Sequence, residues 1–146
     1  MSDIQKTYEN LPSEYLNITK TYLSVDEGTM DIAIKRHPSV FAFFGSVLSF
    51  AKRASDGLNS KLEMKEAKHM ELRRAELAEK GVKATQAALT NYILTVQELV
   101  DLREEVLESQ HRYNLAKNIV TSLDHQKDML VQMSANKRAE VRLHEL

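Results

Sequence analysis

Between Val96 and about Asn136 the chain carries apolar residues at alternating spacings of three and four, and nothing in that stretch breaks a helix. One seam runs through Leu99, Leu102, Val106, Ser109, Tyr113, Ala116, Val120, Leu123, Lys127 and Leu130. A second runs through Leu115, Ile119, Met129 and Met133 on the adjoining face. A helix with this pattern must bury its seams against other helices. A preceding stretch from His37-Pro38-Ser39 to about Lys80 is also helical in pattern: Pro fixes φ in a first turn and gives up only a donor that has no partner there. Two helices of about 40 residues reach roughly 60 Å each at 1.5 Å per residue. Together they predict an all-α fold, a long, coiled-coil-like antiparallel hairpin.

The connection between them is legible. Gly81 follows the last turn as a C′ residue, and Thr85 offers an N-cap for a short helix through Ala87, Ala88, Leu89, Tyr92 and Ile93. Thr95 with Glu98 fits a capping box for the final helix. Ahead of the hairpin, Ile4, Tyr8, Leu11, Tyr15, Ile18, Tyr22 and Val25 make a further helical stripe. Pro12 suggests a fresh start there and Gly28 a stop. The three tyrosines suit packing against a neighbouring helix better than base stacking. Gly45 and Gly57, inside the second helix, mark either close helix contacts or bends. The expected organisation is an N-terminal acidic helical segment over residues 1–34 and a hairpin over 35–146, folding as one unit. One short helix cannot cover the whole second seam, so Leu115, Ile119, Met129 and Met133 are the expected contacts of a homo-oligomer.

Charge is unevenly distributed. Residues 1–34 carry two bases and six acids, a net of -4; residues 35–83 carry eleven bases and six acids, a net of +5; the remainder is -2. The basic run comprises Lys61, Lys65, Lys68, Arg73, Arg74, Lys80 and Lys83, with Lys61, Lys65 and Lys68 sharing one helical face. Such a stripe can follow phosphates by counterion release without reading sequence. Interleaved Glu63, Glu66, Glu71, Glu76 and Glu79 are equally what an ordinary solvated helix face contains.

Catalytic machinery is not expected. His37, His69, His111, His125 and His144 form no paired ligand motif and read as solvated surface residues. Glu104, Glu105 and Glu108 suit helix ion pairing, with Arg112 four residues after Glu108, better than a metal box. No phosphate-binding glycine loop occurs, and no cofactor is expected. The absence of Cys suits a reducing cytosol, and neither a signal peptide nor an apolar run of membrane-spanning length is visible, so a cytoplasmic location is expected. The sequon Asn17-Ile18-Thr19 and the terminal His144-Glu145-Leu146 are therefore set aside.

Three segments carry a resemblance. His37-Pro38-Ser39-Val40-Phe41-Ala42-Phe43-Phe44-Gly45-Ser46 is one; Arg73-Arg74-Ala75-Glu76 followed by Gly81-Val82-Lys83-Ala84-Thr85 is another. The third is Leu123-Asp124-His125-Gln126-Lys127-Asp128-Met129-Leu130 with Arg138-Ala139-Glu140. Together, over roughly Arg36 to Glu140, they resemble the small phage proteins grouped with the UvsY-type recombination mediators. The resemblance implies a ring-forming homo-oligomer that binds single-stranded DNA, contacts the single-strand binding protein and helps load a recombinase. It implies DNA contacts at Lys65, Lys68, Arg73, Arg74, Lys80 and Lys83. The acidic first segment departs from the family and is assigned to a protein partner. The competing expectation is a coiled-coil adaptor or scaffold, such as a virion or assembly component, whose seams bind protein and whose charges confer solubility.

Overall fold

The computed structural model describes all 146 residues, and the chain is all-α: α1 (Asp3–Leu23), α2 (Met30–Glu79), α3 (Gln86–Ile93) and α4 (Gln97–His144), with no strand. It divides into two compact units, residues 1–51 with 112–146, and residues 52–111. Residues 1–34, the acidic segment of the sequence, lie in the larger unit with the first part of α2 and the second part of α4.

In the larger unit three helix segments share one core. Leu11 of α1, Phe44, Val47 and Ala51 of α2, and Ala116, Ile119 and Leu123 of α4 are buried together. Each fully buried large aliphatic contributes about 1.5–3 kcal/mol of transfer free energy. Tyr8, Tyr15 and Tyr22 pack against this core, as the stripe predicts. Tyr8 meets Phe50 edge-on at 5.0 Å and Tyr22 meets Phe44 at 5.7 Å. Tyr8 also lies beneath the Arg112 guanidinium, 5.6 Å from the ring centre, and Gln126 Nε2 donates to the Tyr22 carbonyl at 2.8 Å. Successive residues of α1 therefore meet successive residues of α4, so the two run parallel, while α2 runs antiparallel to both. A smaller cluster of Met30, Ala33 and Leu130, with Val25 and Met133 against it, extends the packing.

The heptad seam drifts along α4. Ile119 is fully buried while Val120 is only partly so, and Gln126 is buried where Lys127 was expected and is instead exposed. A helix of 3.6 residues per turn slips steadily against a seven-residue repeat. Gln126 suits its position chemically: the last carbonyls of α1 lack partners within the helix, and Gln126 serves that of Tyr22 while Arg36 Nη2 serves that of Thr21 at 2.8 Å.

Several boundaries differ from expectation. Pro12 lies inside an unbroken α1, on its exposed side, where water can serve the freed carbonyl. Helix α2 starts at Met30, not Pro38, after a turn in which Thr29 N donates to Asp26 Oδ1 at 2.9 Å and Asp26 N donates to Thr29 Oγ1 at 3.2 Å. Thr95 does not cap α4: its hydroxyl donates to the Tyr92 carbonyl at 2.7 Å, and Glu98 turns away towards α2. Neither Gly45 nor Gly57 marks a close approach, since a Cβ at either would meet nothing within 4 Å.

In the smaller unit, α2 ends in a Schellman turn. Val82 N bonds the Leu77 carbonyl at 2.9 Å and Gly81 N bonds that of Ala78 at 3.0 Å, with Gly81 at φ 71°. Thr85 then caps α3 by accepting from Ala88 N at 3.2 Å, as expected. Gly81→Ala should lower stability by about 1–2 kcal/mol, because an L side chain is strained at that φ. Gly57→Ala, inside a helix with open space, should raise it by about 0.5–1 kcal/mol. Urea unfolding followed by circular dichroism should show these opposite signs.

Candidate nucleic-acid interface

The six basic residues implied as DNA contacts all belong to the smaller unit, but they do not form one continuous stripe. Their helix pairs with the first turns of α4, where Glu98, Asp101, Glu104, Glu105 and Glu108 face a single base, Arg103. Part of the basic run answers this acidic stretch. Lys65 Nζ pairs with Glu98 Oε1, and His69 Nε2 lies 3.0 Å from Glu98 Oε2. Arg103 Nη2 bridges Glu66 Oε1 at 2.9 Å and the Ile93 carbonyl at 3.2 Å, tying α4 to α2 and to the end of α3.

Arg73 is also engaged, with Nη1 3.2 Å from Glu76 Oε2 and its guanidinium carbon 4.8 Å from the centre of the Tyr92 ring. Lys68, Arg74, Lys80 and Lys83 remain exposed and make no ion pair. At 100° per residue, Arg74 lies about 120° around α2 from Lys68. The free cations therefore wrap the end of α2 and the Gly81 turn rather than line one face.

The four residues of the second seam are distributed differently. Ile119 is wholly buried inside the larger unit, and Leu115 and Met133 pack against its clusters. Met129 is 41% exposed and Val131 64%. Beside them lies an apolar groove of about 490 Å³ floored by Ile34, Pro38, Phe41, Leu130 and Val131, with Lys127, Asp124 and Arg138 at its margin. His37, read from sequence as a surface residue, is buried at this groove, with Nε2 2.7 Å from the Leu123 carbonyl and its ring stacked on Phe41.

Nowhere do three His, Asp or Glu side chains converge as a metal site would need, and no helix is long and apolar enough to cross a membrane. Sequence reasoning missed the pairing of Glu98 with Lys65 and His69, and the placing of Tyr92 under Arg73. The only available signal was the antiparallel register, in which the start of α4 must return alongside the basic part of α2.

Hydrogen bonds from Lys65 and then His69, reinforced by their charge, hold the Glu98 carboxyl at about 2, well below its usual 4.5. Its pKa is depressed on folding, so its contribution to stability is present above about pH 4.5 and is lost as pH falls towards 2. A carboxyl-carbon NMR titration should place the Glu98 midpoint near 2. Replacing both partners, Lys65→Gln with His69→Gln, should return it towards 4.5.

Compared with models of known protein families, with curated proteins and with solved structures, the chain matches none of them.

Proposed function

We propose that this chain is a recombination mediator of the UvsY type, a homo-oligomer that binds single-stranded DNA through the smaller unit and helps load a recombinase onto DNA covered by single-strand binding protein. The observation that carries the DNA-binding part is the cluster of exposed, unpaired cations Lys68, Arg74, Lys80 and Lys83 around the end of α2 and its turn. Four cations left without carboxylate partners, beside Lys65 and Arg73 that have them, are available to phosphates. The resemblance of the sequence to the mediators supplies the rest of the reading, including the protein partners and the host cytoplasm as its setting. No nucleotide hydrolysis is required: wrapping or bending the strand weakens its hold on the binding protein.

Charge dominates affinity in this mechanism, so binding is salt-sensitive and indifferent to sequence. Lys65 and Arg73 are poor choices for testing it, because each is held by contacts inside the unit. Arg74→Glu with Lys80→Glu removes exposed cations only. Fluorescence anisotropy with labelled oligo-dT should show the double variant binding at least about tenfold more weakly, with the log–log salt slope reduced by about 1.4 for two lost phosphate contacts. A folded wild-type protein that binds no strand at low salt would sink the mediator reading.

The second reading, a protein-binding adaptor or scaffold, is favoured by the apolar groove of the larger unit. Both readings use self-association, for which Met129 of the second seam and Val131 at the groove are exposed apolar residues of α4. Val131→Glu should shift sedimentation towards smaller species. In the mediator reading it should also weaken strand binding, since linked subunits bind one strand with high effective concentration.

A further inference from the structure

Arg73 differs from the other cations of the smaller unit in what surrounds it. It is fixed from two directions, by the Glu76 carboxylate 3.2 Å from Nη1 and by the Tyr92 ring 4.8 Å from its guanidinium carbon, yet its side chain is 33% exposed. The backbone that carries Tyr92 is held: its carbonyl accepts the Thr95 hydroxyl at 2.7 Å and Thr95 N at 3.0 Å, closing the turn between α3 and α4. The chain neighbours are unusual for a phosphate site. Leu72, beside Arg73, is 53% exposed and Leu94, two residues after Tyr92, is 58% exposed.

A cation that only meets phosphate gains nothing from a ring beneath it or from exposed leucines in the adjoining chain. A flat group that receives an unpaired base gains from both. Guanidinium planes stack on aromatic rings and on bases alike, and bases splayed from single strands are held on such planes. A guanidinium already held by a ring and a carboxylate surrenders little freedom when a base settles on its outer side.

We propose that Arg73, supported by Tyr92, is a stacking platform for an unpaired nucleobase, with Arg74 and Lys80 available to the adjoining phosphates. The assignment rests on the DNA-binding reading above and adds to it a source of strand preference. A duplex offers the same phosphates but keeps its base faces covered, so the platform serves single strands alone.

Arg73→Lys separates stacking from charge, because lysine keeps the positive charge but has no plane to stack. Tyr92→Leu removes the ring, and Tyr92→Phe retains it. The readouts are anisotropy with labelled oligo-dT and with a duplex, and fluorescence of an oligo-dT strand carrying one 2-aminopurine, which reports stacking. Circular dichroism verifies folding of each variant. Arg73→Lys and Tyr92→Leu should lose about 5- to 150-fold in single-strand affinity. For Arg73→Lys the salt slope and duplex affinity should be unchanged, and both variants should lose the fluorescence change. Tyr92→Phe should behave as wild type. Arg73→Lys binding both strands as wild type does would overturn the platform while leaving the DNA reading intact, and equal losses on single strand and duplex would overturn it likewise. Absence of any strand binding by the wild-type protein would remove the DNA reading, and the platform with it.

Discussion

A helix of 48 or 50 residues cannot hide its own apolar side from water, and the whole architecture follows from how α2 and α4 cover each other. In the smaller unit they meet with one buried line, Leu99, Leu102, Val106 and Ser109, and with charged pairs beside it. In the larger unit the apolar surface is wider, and α1 is the third partner that closes it. Leu11, at no exposure, marks where α1 is most completely enclosed. The C-terminal end of α1 is finished by Arg36 and Gln126, so docking that helix leaves neither Thr21 nor Tyr22 with an unserved carbonyl.

The all-α class, the short helix between the long ones and the Gly81 turn were legible because each rests on local chemistry. Helical spacing, a threonine cap and a residue that must take positive φ need no knowledge of distant contacts. Helix starts were less legible. Pro12 and Pro38 each look like a beginning, yet both lie inside helices, because the burial of Leu11 and of Met30 and Ala33 outweighs the loss of one hydrogen bond. Gln126 could not be read as buried, since its reason is a carbonyl 104 residues away. His37 was hidden for the same reason, its partner being the Leu123 carbonyl 86 residues along the chain.

The basic run posed a different difficulty. Sequence gives the sum of charges in a segment but not the division between those that answer an acid across the helix pair and those that remain unpaired. Lys65 and Arg73 look equivalent to Lys68 and Arg74 in the sequence, and the return of Glu98 and Tyr92 alongside α2 separates them. The acidic start of α4 fixes Lys65 in place and leaves Lys68 and Arg74 to the solvent.

The two units also differ in how the chain supplies them. Residues 52–111 form a continuous stretch, whereas the larger unit joins 1–51 to 112–146 across it. Closing a loop costs entropy that grows with its length, so the contacts of the smaller unit cost less chain entropy to close than those joining 1–51 to 112–146. During synthesis this has a sharper consequence. Phe41, Phe43, Phe44 and Val47 leave the ribosome early, but Ala116, Ile119 and Leu123, with which they share a core, come some seventy or more residues later. Throughout that interval the most apolar part of α2 has only α1 to cover it, which makes the N-terminal helix a temporary shield for a nascent chain as well as a member of the finished core.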